Sequence, residues 1–310
     1  MNPHALLNRL DKNRRHLAKW ARREHLEAYR LYDRDMPEFP LAIDLYGQAL
    51  HVQVFERRRP FEEEQIERLS EALLQHFELQ PQQLAIKTRR RQRGLAQYEK
   101  LAAGAPSFKV RERDYRFEVN LHRYLDTGLF LDHRDTRHMV GQRAQDKSFL
   151  NLFAYTGSFT VYAAGGGARR SVTVDMSRTY QAWSARNLQH NGLADEQRHQ
   201  FVQSDVLAFL ERMLAARTRF DLVVLDPPSF SNSKRMQHTF DVQRDQFELL
   251  EQTIRLLAPG GELFFSNNRQ GFQLDPRIAE LAEVEEITEQ TVPRDFARHR
   301  PHRCWLIRRT

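Results

Sequence analysis

The chain has 310 residues, 40% of them hydrophobic and 10% aromatic, which suits a packed core and excludes a disordered chain. The length sets a prior of two globular units, and no apolar run approaches the roughly 18 residues that span a bilayer. A single cysteine, Cys304, excludes an internal disulfide and a multi-cysteine metal site, and the net charge of +7 is modest for the length and would mean little if evenly spread.

The amino-terminal run "MNPHALLNRLDKNRRHLAKWARRE" lacks an uninterrupted apolar region and reads as a basic helix rather than a leader. A reducing cytoplasm is the expected location. Leu6, Leu7, Leu10, Leu17 and Trp20 mark one apolar side, so a helix is predicted over residues 1 to about 30, broken by "DRDMPEFP". Strands follow at "LAIDLYG" and "ALHVQVFE", with Gly47 and Gln48 as the turn between them. A helix is predicted over 63–79, where Ile66, Leu69, Leu73 and Phe77 keep helical spacing. Further strands are predicted at "LAIKTRR" and within "SFKVRERDYRFEVNL".

Residues 1–122 thus form a small α/β module that carries most of the arginine clusters: "NRRHLAKWARR", "ERRRP" and "IKTRRRQRG". One such run reads equally well as a solvated face. Three of them near Trp20, Phe55 and Tyr98 favour a phosphate-binding surface, with Arg89, Arg90 and Arg91 as its leading candidates.

From residue 123 onward, strand-like runs alternate with helical ones. Strands are expected at 148–153, 171–175, 199–205, 220–226, 261–268, 285–291 and 304–309, and helices at 178–190, 207–216 and 243–257. This alternation predicts a Rossmann-like, doubly wound, mostly parallel sheet of seven strands over 123–310. The last two runs have no helix between them and suggest a closing antiparallel hairpin.

Ligands of such sheets bind beyond the carboxyl ends of the strands. The first strand is followed by Asn151, Thr156, Gly157, Ser158 and Thr160, a polar turn with a glycine where backbone approaches a ligand. The second ends in Asp175, an acid able to accept both hydroxyls of a ribose, and the third places Asp205 and Val206 to hydrogen-bond and cover an adenine. A dinucleotide would need G-x-G-x-x-G in the first turn, and the glycine run 165–167 comes after the first helix instead. An adenosyl ligand without phosphates fits better, and S-adenosylmethionine is the expected cofactor.

The fourth strand delivers "DPPSFSNSKRM" beside that pocket. Asp226 is held by Pro227 and Pro228, Phe230 can stack on an extruded base, and Lys234 and Arg235 can grip flanking phosphates. Base methylation is the chemistry this predicts. No cysteine stands at the strand tips to add to a pyrimidine ring, which excludes the covalent route to 5-methylcytosine. Guanine N7 needs only a positioned methyl donor and a hydrogen-bond donor for O6, a role for Asn267, Asn268 or Lys234. An exocyclic amine would use Asp226 as acceptor. Residue chemistry leaves that choice open.

"NLFAYTGSFTVYAA", "VDMSRTYQAWSARNLQHNGL", "DPPSFSNSKRM", "FSNNRQGF", "DFARHR" and "CWLI" resemble the RlmK family across the whole chain. That family forms the C-terminal half of the bifunctional large-subunit rRNA methyltransferase RlmKL. The resemblance implies S-adenosylmethionine as cofactor, N7-methylguanosine in 23S rRNA as product, and Phe153, Tyr155, Met176 and Ser177 as further cofactor contacts. "GLFLDHRDTR" is the segment that precedes the first sheet strand in this group. Asp132 and Arg134 can be read there as helix-start charges, and the resemblance favours them as holders of the methionine amino and carboxylate groups. The RlmL half, with its guanine-N2 activity, lies outside the matched region, so a separate RlmL-like enzyme becomes the expected partner. The rival readings are an RNA methyltransferase acting on another base atom, a catalytically inactive ribosome-assembly factor, and a nicotinamide-dependent oxidoreductase.

Overall fold

The computed structural model describes residues 3–55, 61–89, 106–231 and 239–309. The chain divides into two compact units, Met1–Leu131 with Arg294–His299, and Asp132–Pro293 with Arg300–Thr310. Residues 123–131, read from sequence as the start of the second domain, therefore belong to the first unit.

In the first unit, helix α1 (His4–Arg23) buries Leu6, Leu10, Leu17 and Ala21. It is followed by strands β1 (Ala28–Asp33), β2 (Leu41–Tyr46) and β3 (Ala49–Phe55), helix α2 (Glu63–His76) and strand β4 (Leu84–Arg89). The strands form one sheet in the order β1-β2-β3-β4, antiparallel except for the β3–β4 pair that α2 connects. Strands β5 (Phe108–Glu112) and β6 (Tyr115–Val119) make a separate hairpin.

The helix predicted to reach about residue 30 ends at Arg23, and β1 occupies its expected last turn. The cause is a Schellman closure: Leu26 N–H donates to Ala21 O at 2.8 Å and His25 N–H to Arg22 O at 3.2 Å, with His25 left-handed at φ 54°. Histidine in place of the usual glycine hides that stop from the sequence. The returning segment Arg294–His299 is tied to β1, since Asp295 accepts from Arg30 N–H at 2.9 Å and the Arg30 guanidinium lies 4.2 Å from the Phe296 ring centre.

In the second unit, helix α3 (Arg134–Arg143) precedes β7 (Ser148–Leu152), α4 (Ser158–Gly165), β8 (Arg170–Asp175), α5 (Arg178–His190), β9 (His199–Gln203), α6 (Val206–Ala215) and β10 (Phe220–Leu225). After β10 come the short strands β11 (Phe230–Ser231) and β12 (Phe240–Asp241), then α7 (Val242–Arg255), β13 (Leu257–Asn267), β14 (Glu283–Glu286), the single turn α8 (Thr288–Thr291) and β15 (Arg303–Arg308). The main sheet runs β14-β15-β13-β10-β7-β8-β9, and β15 is antiparallel to both its neighbours. This is the Rossmann-like sheet that the β/α alternation predicts.

Two details differ. The run 285–291 is not one strand: β14 stops at Glu286, and Thr291 Oγ1 donates to Thr288 O at 3.0 Å within α8. The β14–β15 pair is antiparallel as expected, but this helical turn separates its strands. The core holds the apolar positions of the central strands, with Leu150, Leu152, Val223 and Leu225 on one side and Phe149, Leu222 and Val224 on the other. Strands buried on both faces have near-continuous apolar runs, which explains why they were legible.

Candidate functional site

Parallel order places the tips of β7, β8, β9, β10 and β13 on one edge, and the order reverses between β7 and β10, where the crevice opens. The turn after β7 is unusual. Phe153, Tyr155 and Gly157 all take left-handed backbone (φ 53°, 50° and 70°), which is costly for the first two and marks a shaped site. It is held by the neighbouring strand: Ala154 N–H donates to Val174 O at 3.0 Å and Tyr155 N–H to the Asp175 carboxylate at 2.9 Å. Ser177 N–H reaches the other Asp175 oxygen at 2.8 Å, so the acid is fixed with a lone pair on each oxygen still to offer. Burial pushes the Asp175 carboxyl up to about 6 against the lowering effect of those two amides.

Gly157 is required twice over. An added Cβ would lie 2.7 Å from both Cβ and Oγ of Ser184, at a φ that side chains rarely adopt. Gly157→Ala should lower stability by about 1–3 kcal/mol, read as a fall in melting temperature. An unchanged melt would show that α5 gives way freely.

A hollow of about 180 Å³ opens beside the β8 and β9 tips, lined by Met176, Gln203, Ser204 and Asp205. Asp205 also caps α6, accepting Ala208 N–H at 3.1 Å. Met176 and Asp205 thus share one partly open recess, Asp175 and Ser177 flank Met176 in the chain, and Phe153, Tyr155 and Ser158 are partly exposed on the turn after β7.

Other expected cofactor contacts are buried. Asn151 donates to Thr160 Oγ1 at 3.0 Å inside the sheet, Asn187 holds the Thr156 carbonyl at 2.9 Å, and Val206 lies in the core. Arg134 is wholly buried. These four are buried where they stand beside the strand tips. The amide chain Asn151–Thr160–Thr173 explains why a polar residue stands inside β7: every link is paired.

At the β10 tip, Asp226 accepts from Ser266 Oγ at 2.7 Å, and Pro227 is buried beneath it. Burial, with Asp132 as the chief charge opposing ionisation, pushes the Asp226 carboxyl up to about 6. Phe230 is 47% exposed and is fixed by the β11–β12 pairing opposite Asp241. Asn267 is buried, its Oδ1 accepting from Arg269 N–H at 3.1 Å, so Asn268 presents the outer amide. Ser229 Oγ donates to Asn268 Oδ1 at 2.7 Å, which turns the Asn268 NH₂ outward as a donor. Pro228 lies between these two features, partly exposed. Arg89 ends β4, while Arg90, Arg91, Lys234 and Arg235 lie outside the described residues.

The structure adds two imidazoles, His133 and His302, that the sequence patterns above do not single out. His133 lies buried with Nε2 3.6 Å from Asp226 and 3.9 Å from Asp132, and His302 Nδ1 stands 3.1 Å from Asp132. Thr291 contacts the far nitrogen of His302 at 3.1 Å, and burial pushes both imidazole pKa values down. His302 was findable from topology: β15 runs opposite to its neighbours, so the residue before it sits at the functional edge. Asp132, His133 and His302 could be mistaken for a metal triad. Their rings are stacked 4.2 Å apart at 15°, however, and a bound ion lies in the plane of each imidazole it joins. Near-parallel planes share no such point within reach, and the hydrogen bonds of the group run from His302 to Asp132 and Thr291, with His133 stacked on the His302 ring.

A sheet of this order, with acids at or just beyond the tips of three successive strands and a glycine turn before the first helix, defines a class I S-adenosylmethionine-dependent methyltransferase. Residues 31–293 match the model of an S-adenosylmethionine-dependent methyltransferase family. The chain is 50% identical over 305 residues to ribosomal RNA large subunit methyltransferase K of Neisseria meningitidis, covering 97% of this chain and 86% of that one. It is 49% identical over 308 residues to the K/L methyltransferase of Allochromatium vinosum, of which it spans 42%. The crystal structure of SMU.776 complexed with SAH superposes with a TM-score of 0.79 over 99% of this chain and 82% of that one. At 23% identity that likeness carries the fold. The chain belongs to the S-adenosylmethionine-dependent methyltransferases, in the family of ribosomal RNA large subunit methyltransferase K.

Proposed function

We propose that this protein methylates N7 of a guanine in large-subunit rRNA. The observation that carries the reading is the β10 tip: a partly buried acid, a diproline and a half-exposed phenylalanine on the same sheet edge as the recess at β8 and β9, with no thiol available. Cys304 is buried in β15, where burial pushes its thiol pKa up, so covalent addition to a pyrimidine has no nucleophile among the described residues. The relatives' names supply the RNA class, and the motif resemblance supplies N7.

Asp175 would hold the ribose hydroxyls, and Met176, Ser204 and Asp205 the adenine. Asp132, at the carboxyl edge, would meet the methionine ammonium. When bound, S-adenosylmethionine supplies the methyl group. Phe230 would stack on the extruded base, Asn268 would donate to O6, and Asp226 would face the positive charge that develops as N7 is alkylated. N7 carries its own lone pair and loses no proton, so the site needs orientation more than a base.

Phe230→Ala should slow transfer about 10-fold while leaving cofactor affinity nearly unchanged, measured by single-turnover kinetics and calorimetry. An equal loss in both would place Phe230 in the cofactor pocket instead. Nucleoside mass spectrometry of rRNA from cells with and without the protein tests the whole reading. Loss of 7-methylguanosine is expected. Loss of an exocyclic methylguanosine would favour the second reading, in which Asp226 accepts from the amine. The N2 activity of the fused relatives would fall to a separate RlmL-like enzyme.

A further inference from the structure

We infer that the outward face of helix α1 is a phosphate-binding rail for the RNA substrate. The inference rests on the rRNA reading above and locates a contact surface on the first unit. Lys12, Arg15, Lys19 and Arg22 are all exposed. On a helix they fall into two pairs seven residues apart, each pair spanning roughly 10 Å along the axis. They share the side opposite Leu6, Leu10, Leu17 and Ala21, which are buried.

None of the four meets a carboxylate among the described residues, although Arg9 and Arg23 nearby do. Arg15 and Arg22 each use Nε to bind a carbonyl one turn back, Asp11 O and Ala18 O, both at 3.3 Å. That leaves the paired outer nitrogens of each guanidinium directed for a phosphate.

A solvated face looks different, and α2 supplies the comparison within the same unit. There Glu64 pairs with Arg68 one turn away, and the exposed side mixes signs. On α1, like charges at helical spacing cost a few tenths of a kcal/mol each, and the helix's single acid, Asp11, is engaged by His76 at 2.9 Å. The face is also extended and concave at its border. Arg294 donates to His16 at 2.9 Å, and a hollow of about 460 Å³ is lined by Asp11, Arg14, Arg15 and Ala18. Phosphates repeat every ~3.4 Å along a strand axis, so a rail of this length spans several.

The test uses the full chain with Lys12, Arg15, Lys19 and Arg22 changed together to Gln, and a transcribed fragment of large-subunit rRNA as probe. Affinity is measured across a salt series. Each phosphate contact contributes a slope of roughly −0.7, so the variant should lose about 3 from the log–log slope. Its melting temperature and S-adenosylhomocysteine affinity should stay as in the parent. A control with Lys147, Arg169, Arg198 and Arg219 changed to Gln, all at the amino edge of the sheet, should keep the parent slope. If the parent binds steeply and the α1 variant binds just as steeply, the rail is wrong while the rRNA reading stands. If the parent binds no RNA at any salt, the rRNA reading fails and the rail with it.

Discussion

Replacing Asp226 by asparagine is expected to cut the rate of methyl transfer about 100-fold, the loss typical when one preorganised electrostatic group is removed from a reaction centre. Asparagine keeps the size of the side chain and can still accept from Ser266, so the fold should survive. What disappears is the negative charge facing a base that becomes cationic. The same acid gives the site a pH dependence with a definite sign. With its carboxyl near 6 in the free protein, Asp226 is largely protonated below that value. A bound sulfonium cation favours the anion and lowers the pKa, so binding releases a proton. Affinity for S-adenosylmethionine should therefore rise with pH between about 5 and 7 and level off above. In Asp226→Asn most of that rise should vanish, leaving the part due to Asp175, also near 6. A flat profile in the parent protein would remove the charge argument.

Asp175→Ala is the second large expected loss. It should weaken S-adenosylhomocysteine binding about 10- to 100-fold, the range for deleting hydrogen bonds to a charged acceptor. Part of the effect is indirect, because Asp175 also holds the Tyr155 and Ser177 amides and with them the strained turn after β7. Asp175→Asn separates the two: one oxygen remains to hold one of those amides, while a donor replaces the acceptor that a ribose hydroxyl needs. Calorimetry on both variants should show Asn binding weakly with a near-parental melt, and Ala losing both. Parental affinity in both would mean that the ribose lies elsewhere.

The sheet and its order were legible because strands buried on both faces must be apolar along their length, as "FDLVVL" shows, and because an acid at the end of such a run has few structural excuses. The boundary of α1 was not legible, since His25 performs a turn that glycine normally marks. Nor does spacing disclose burial: Asn151, Thr156 and Arg134 look like open site residues in sequence, yet the structure buries them. Burial depends on what packs over a residue, here α4, α5 and the turn itself, and no local pattern encodes that. His302 belongs to the opposite case. Nothing around "RPHRC" suggests an active-site role until the reversed direction of β15 brings it against Asp132.

A crystal structure of the protein with S-adenosylhomocysteine tests the central claim most directly. The ribose hydroxyls should lie about 3 Å from the Asp175 oxygens, the adenine in the recess of Met176, Ser204 and Asp205, and the amino group toward Asp132. Density away from the tips of β7, β8 and β9, or an adenosyl group seated with Asp175 turned aside, would contradict the account.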